Sequence, residues 1–128
     1  MSIVAQQDDV QVLPQLQGHT IGFIDTQAEC EVTSLALNQA GFADDVITVF
    51  HGDEDVPLLK SLMGGSSWGE SAEDVLKQGT LELHSDHYVV CIGVKNAEEA
   101  DTVATISTQC GVRSIYYFGN LVDTRLTR

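Results

Sequence analysis

Positive charge is scarce in this 128-residue chain, with six Lys and Arg against 19 Asp and Glu and a formal net charge of −13. The first base is Lys60, so residues 1–59 carry ten acids and no Lys or Arg, while residues 60–128 carry nine acids and six bases. Such a chain repels phosphate and offers no basic stripe, which excludes nucleic acid and anionic membrane surfaces as main partners. Cysteine is equally thin. Cys30, Cys91 and Cys110 are widely spaced and contain no CxxC pair, so neither a disulfide framework nor a zinc finger is expected, and a reducing cytoplasm fits. No run approaches the roughly 18 apolar residues that span a bilayer, and the first residues lack the basic and apolar regions of a signal peptide.

What is present is a folding sequence. Leu, Ile, Val and Phe total 37 residues, well above the level at which highly charged chains stay disordered. The length suits one domain. Residues 1–18, rich in Gln and Asp around Pro14, read as an extension, and residues 19–128 as a single α+β domain.

One spacing occurs twice. Thr26 and Glu29 form a capping-box pattern with Gly41 fifteen residues after the cap, and Asn96, Glu99 and Gly111 repeat it seventy residues later. Each pattern predicts a helix, because the cap accepts from first-turn amides and glycine accepts the left-handed turn that ends it. The apolar stripe is read as Val32, Leu35, Ala36 and Ala40 in the first helix, and as Ala100, Val103, Ala104, Ser107 and Cys110 in the second. Strand-like runs flank both: Thr20 to Ile24, Val46 to Phe50, Tyr88 to Val94 and Ser114 to Phe118. The expected fold is a ferredoxin-like sandwich from a duplicated β-α-β unit, with copies at about residues 19–51 and 87–119 and both helices on one face of the sheet.

The insert, residues 52–86, predicts a short helix over Asp53 to Met63, a Gly-rich break, and a second short helix from Ala72 to Gln78, capped by Ser71 and ended by Gly79. Alternation in Thr80 to His84 followed by Ser85-Asp86 predicts a hairpin into the strand at Tyr88.

Ala40-Gly41-Phe42, Asp44-Asp45, Val46 to Phe50 and Leu76-Lys77-Gln78-Gly79 carry a likeness over residues 19–118. With these motifs the chain resembles the small domain of bacterial general stress proteins of the heat-induced type, departing from it in the Leu81 to His87 segment. The resemblance implies no defined reaction and brings no functional residues with it.

Few residues offer chemistry. His84, Asp86 and His87 could meet across the predicted turn around a divalent ion, but an HxxH pair lacks committed third and fourth ligands, so no metal is expected. Asp53, Glu54 and Asp55 follow His51 at a strand end; their spacing is not that of a calcium loop, and carboxylates there complement the next helix dipole. The Gly64 to Gly69 stretch has neither the lysine of a phosphate loop nor dinucleotide-fold spacing. Trp68 within it must plug a gap or meet a partner. No cofactor is implied, and no serine or cysteine has a sequence-local base.

These features point to a non-enzymatic regulatory or stress-related domain that acts through protein or small-ligand contacts, with Trp68, Asp53, Glu54 and Asp55 as candidate contact residues. A homodimer through a sheet edge or an open sheet face fits that reading. One alternative is a small enzyme whose pocket, lined by His and by Tyr116 or Tyr117, forms in a dimeric α+β barrel. Another is an acidic adaptor that meets a basic protein through its N-terminal half.

Overall fold

A computed structural model describes residues 18–63, 69–119 and 122–125. Its centre is strand β1 (His19–Ile24), which pairs antiparallel with β3 (Tyr88–Gly93) on one side and β4 (Arg113–Gly119) on the other. Strand β2 (Ile47–His51) joins the far side of β3, and β5 (Val122–Arg125) joins β4, giving the order β2-β3-β1-β4-β5 with every pairing antiparallel. Helix α1 (Gln27–Gln39) connects β1 to β2, α2 (Val56–Met63) and α3 (Gly69–His84) connect β2 to β3, and α4 (Ala97–Gln109) connects β3 to β4. The class is mixed α+β, as the alternation of strand and helix patterns predicts.

Both sheet faces are covered. Helices α1 and α4 share a core with one face through Cys30, Leu37, Val103 and Ala104 packed with Ile24, Val90, Ile92 and Ile115. Leu59 and Met63 of α2 and Val75 and Leu83 of α3 pack with Ile21, Phe23, Phe50, Val89 and Phe118 on the other.

The helix ends follow their sequence signals. Thr26 Oγ1 accepts from the Glu29 amide at 3.2 Å, and Asn96 Oδ1 from the Glu99 amide at 2.8 Å. At the other ends Gly41 and Gly111 have φ of 103° and 99°, and the next residues, Phe42 and Val112, donate back to Leu37 and Ser107 carbonyls. These are the bonds of a Schellman ending.

Three expectations fail, each for a packing reason. The segment from Leu81 to His87 is not a hairpin: α3 runs unbroken from Gly69 to His84, and the edge-most strand after β4 is β5. Ser71 and Gly79 accordingly lie inside the helix instead of bounding it. Val75, Gly79 and Leu83 recur at helical spacing and are all buried, and a side chain on Gly79 would press on Leu59 at 2.8 Å. Glycine there marks a close helix crossing and not a helix end, at a cost of about 1 kcal/mol in helix propensity. The helix ends at Asp86, which takes the left-handed turn (φ 67°) while His87 donates to the Glu82 carbonyl.

The stripe of α1 is also rotated. Val32 and Leu35 are 54% and 59% exposed, whereas Cys30, Thr33 and Leu37 are buried. Thr33 can face inward because its hydroxyl donates to the Glu29 carbonyl at 2.7 Å. The stripe of α4 is as expected at Ala100, Val103, Ala104 and Ser107, which are buried, while Cys110 is half-buried at the cap beyond the helix. The helix expected over Asp53 to Met63 begins as a 3-10 turn, Asp53–Asp55, that runs directly into α2 at Val56. Trp68, Gly64 to Ser67 and residues 1–17 of the extension lie outside the described residues.

Candidate functional site

One end of the sheet collects most of the ionisable chemistry. There β1 and β2 finish while β3 and β4 begin, so Asp25, His51, His87 and Arg113 become neighbours although they are up to 88 residues apart. A bulge makes this possible. Ile21 pairs with Tyr116 and Phe23 with Arg113, so two residues of β1 span three of β4, and Ser114 takes the extra turn at φ 53°. A one-residue insertion switches the face of a side chain. It turns Arg113 towards α3, while Gly22 leaves room for Val112 and Ile115 opposite.

Arg113 meets a buried acid there. Its guanidinium donates to Glu82 at 2.6 and 3.2 Å and to Asp25 at 2.6 Å, while Gln78 Nε2 donates to Glu82 at 2.9 Å and His87 Nδ1 lies 2.8 Å from the same carboxylate. The Glu82 side chain is only 8% exposed. Burial pushes its carboxyl pKa up, but the bonds from Arg113, His87 and Gln78 outweigh that and hold it below the usual carboxylate range. Arg113 is raised in turn, first by its bond to Glu82.

The three weak metal candidates, His84, Asp86 and His87, do not converge. His84 Nδ1 pairs with Asp53 at 2.7 Å, Asp86 pairs with His51 Nε2 at 2.8 Å, and His87 turns to Glu82, because a helix end replaces the turn that was to bring them together. His87 does stand with Asp25 and Glu82, ligand atoms within 4.8 Å of one another. Arg113 occupies the two carboxylates of that group, so the cluster is an ion-pair network. Of the other candidates, Asp55 accepts from the His51 amide at 2.8 Å, and Glu54 is exposed.

Beside this end lies an open groove of about 600 Å³ between α1 and the edge strand β2. Gln27, Cys30, Glu31, Ser34, Leu35 and Asn38 of α1 form its wall. Val49 and His51 of β2 and Tyr88 of β3 form its floor. The His51 and Tyr88 rings stack with centroids 4.1 Å apart and planes inclined by 11°. Burial first, then Glu29 and Glu31, raise the Cys30 thiol to about 11, and burial alone raises Cys91 to about 12, so both are inert packing groups at neutral pH. Tyr116 does not line the groove but meets Phe23 edge-on, with ring centroids 6.5 Å apart.

Sequence reasoning missed Glu82, Arg113, Leu35 as an exposed residue, and Tyr88. A signal existed for Glu82: it lies four residues after Gln78 on the buried stripe of α3, visible once that segment is read with helical period. No protein-family model matches the chain, nor does any curated protein or solved structure. Among the described residues no helix is long and apolar enough to cross a membrane.

Proposed function

We propose that the chain is a ferredoxin-like sandwich derived from a duplicated β-α-β unit, and that it acts as a non-enzymatic regulatory domain binding a protein through its acidic first copy. The strand order β2-β3-β1-β4 and the matching caps and glycine endings of α1 and α4 support the architecture. The stress-protein resemblance supports a regulatory role over a catalytic one.

The observation that carries the binding role is the outward turn of α1. Leu35 and Val49 stand exposed at one groove, with Val32 exposed on the same helix. Large apolar side chains grouped on a surface mark contact sites. The groove is open along its length, whereas small-molecule and catalytic pockets usually enclose their ligand. His51, His84 and His87 are each engaged with a carboxylate. An enzyme built as a dimeric barrel would need an open sheet face, and helices lie on both. Edge pairing into a homodimer is opposed by like charge and by Asp55, which holds the outer amide of β2 at His51.

The test is affinity capture by the tagged full chain, its Glu31→Lys/Asp45→Lys variant and a Glu98→Lys/Asp101→Lys variant in α4. A saturable, salt-sensitive partner retained by the first and third and lost by the second is expected. Equal retention by all three would overturn the assignment to the first copy.

A further inference from the structure

Resting on the reading of the chain as a binding domain, we infer that the α1–β2 groove receives an extended segment of another protein in which basic and apolar side chains alternate. Four features of the groove select that occupant.

The first is charge. Among the described residues Glu31 is the only Asp, Glu, Lys, Arg or His side chain lining the groove apart from His51, and two further carboxylates stand behind His51, Asp86 at the ring and Asp55 at the amide. No Lys or Arg lies on the wall or floor, nor anywhere in residues 1–59. A cation is therefore attracted and has no built-in competitor. The Cys30 thiol at the wall stays neutral and adds no charge of its own.

The second is the apolar pair. Leu35 on the wall is 59% exposed and Val49 on the floor 39% exposed, so an apolar side chain entering the groove gains contact on two sides. The third is the aromatic floor, where the stacked His51 and Tyr88 rings give an arginine side chain a π-system to pack beside.

The fourth is the edge of β2. Ile47, Val49 and His51 share one side of the strand, and the His51 amide, bonded to the Asp55 side chain, faces away from β3. By alternation the amides of Ile47 and Val49 face the same way. Asp44 takes the Ile47 amide and Asp55 the His51 amide, which leaves Val49 as the outward position between two guarded ends. An extended segment can pair its backbone there while alternate side chains enter the groove. A long strand would collide with both guards, which argues against sheet-to-sheet growth with a second copy.

The experiment uses the full chain and fluorescein-labelled octapeptides of alternating arginine and valine, of glutamate and valine, and of arginine and serine, followed by anisotropy and light scattering. The arginine–valine peptide is expected to bind one-to-one, about tenfold or more tighter than either control. Glu31→Lys and Leu35→Ser, both at exposed positions, should each weaken it about tenfold, while Asp101→Lys, the same charge change on α4, should alter it less than about twofold. Equal weakening by Asp101→Lys would reduce the attraction to diffuse charge and overturn the inference. So would equal binding of the arginine–serine peptide, full binding by Leu35→Ser, or self-association of the chain lost in Leu35→Ser. If the peptide fails while partner capture still depends on Glu31 and Asp45, the binding role stands and this mode of docking falls. If capture loses that dependence while the peptide still binds at Leu35, the groove stands and the assignment of the partner falls.

Discussion

Replacing Arg113 by Met tests how the ion-pair network supports the fold. The substitution keeps an apolar stem and removes the guanidinium, leaving the Glu82 carboxylate, 8% exposed, with only Gln78 and His87 as partners. Breaking a fully buried pair by removing one partner costs about 3–5 kcal/mol. Arg113 is itself 39% exposed, and two donors to Glu82 remain, so about 2–3 kcal/mol is expected at pH 7. For a chain of this size that is a fall in Tm of about 8–12 °C. The pH dependence gives the reasoning a second edge. In the native protein the Glu82 carboxyl is held below its ordinary value of 4.5, so its stabilising contribution is present above that value and lost as pH falls through the lowered native one. Without Arg113 the burial of Glu82 acts against fewer bonds, its carboxyl rises, and protonation then favours the folded variant. The stability gap between wild type and variant should therefore narrow as pH falls below about 4.5. Thermal melts followed by circular dichroism from pH 7 to pH 3.5 measure it. A loss under about 1 kcal/mol at pH 7, or a gap that stays constant down to pH 3.5, would refute the account.

Further outcomes follow from the helix ends and faces. Leu37→Ala should cost about 2–5 kcal/mol and Leu35→Ala under about 0.5 kcal/mol in urea titrations; equal costs would overturn the rotated α1 stripe. Gly41→Ala should lose about 1–2 kcal/mol from the left-handed turn alone, since nothing lies near its missing side chain. Gly111→Ala should lose more, because a methyl there meets the Glu29 carboxylate, and a smaller loss would sink that packing argument. Asp86→Gly relieves a left-handed non-glycine residue and gives up one exposed pair with His51, so a gain of up to about 1 kcal/mol is expected. A fall in melting temperature would show the His51 pair to be the stronger effect. Iodoacetamide at pH 8 should leave Cys30 and Cys91 unmodified in the native chain, with peptide mass spectrometry as the readout; labelling of Cys30 at the rate of an unfolded thiol would contradict its raised pKa.

Strands β1 to β4 and the two capped helices were legible because their signals are local, whereas β5 was not expected. Thr26 and Asn96 find their donor amides three residues away, and the glycines at 41 and 111 need only their own backbone angle. Thr80 to His84 was not legible in that way. Its alternation imitates a strand, while the helical recurrence of Val75, Gly79 and Leu83 is diluted by a glycine whose role depends on Leu59, distant in sequence. The same holds for α1. Apolar residues lie around much of its circumference, so which of them are buried depends on where α4 and the sheet press against it, and Thr33 goes inside because a hydroxyl can satisfy itself on the preceding turn.

The sequence alone determined the charge asymmetry, the folded α+β class, and the places where α1 and α4 start and stop, since each rests on composition or on bonds between residues a few positions apart. Tertiary structure decided the rest. The β4 bulge sets which face Arg113 takes, close packing at Gly79 lets α3 lie on the sheet, and edge position leaves Val49 beside Leu35 at an open groove. Each of those outcomes is a contact between residues far apart in the chain, and local pattern carries no record of which distant surface will be pressed against it.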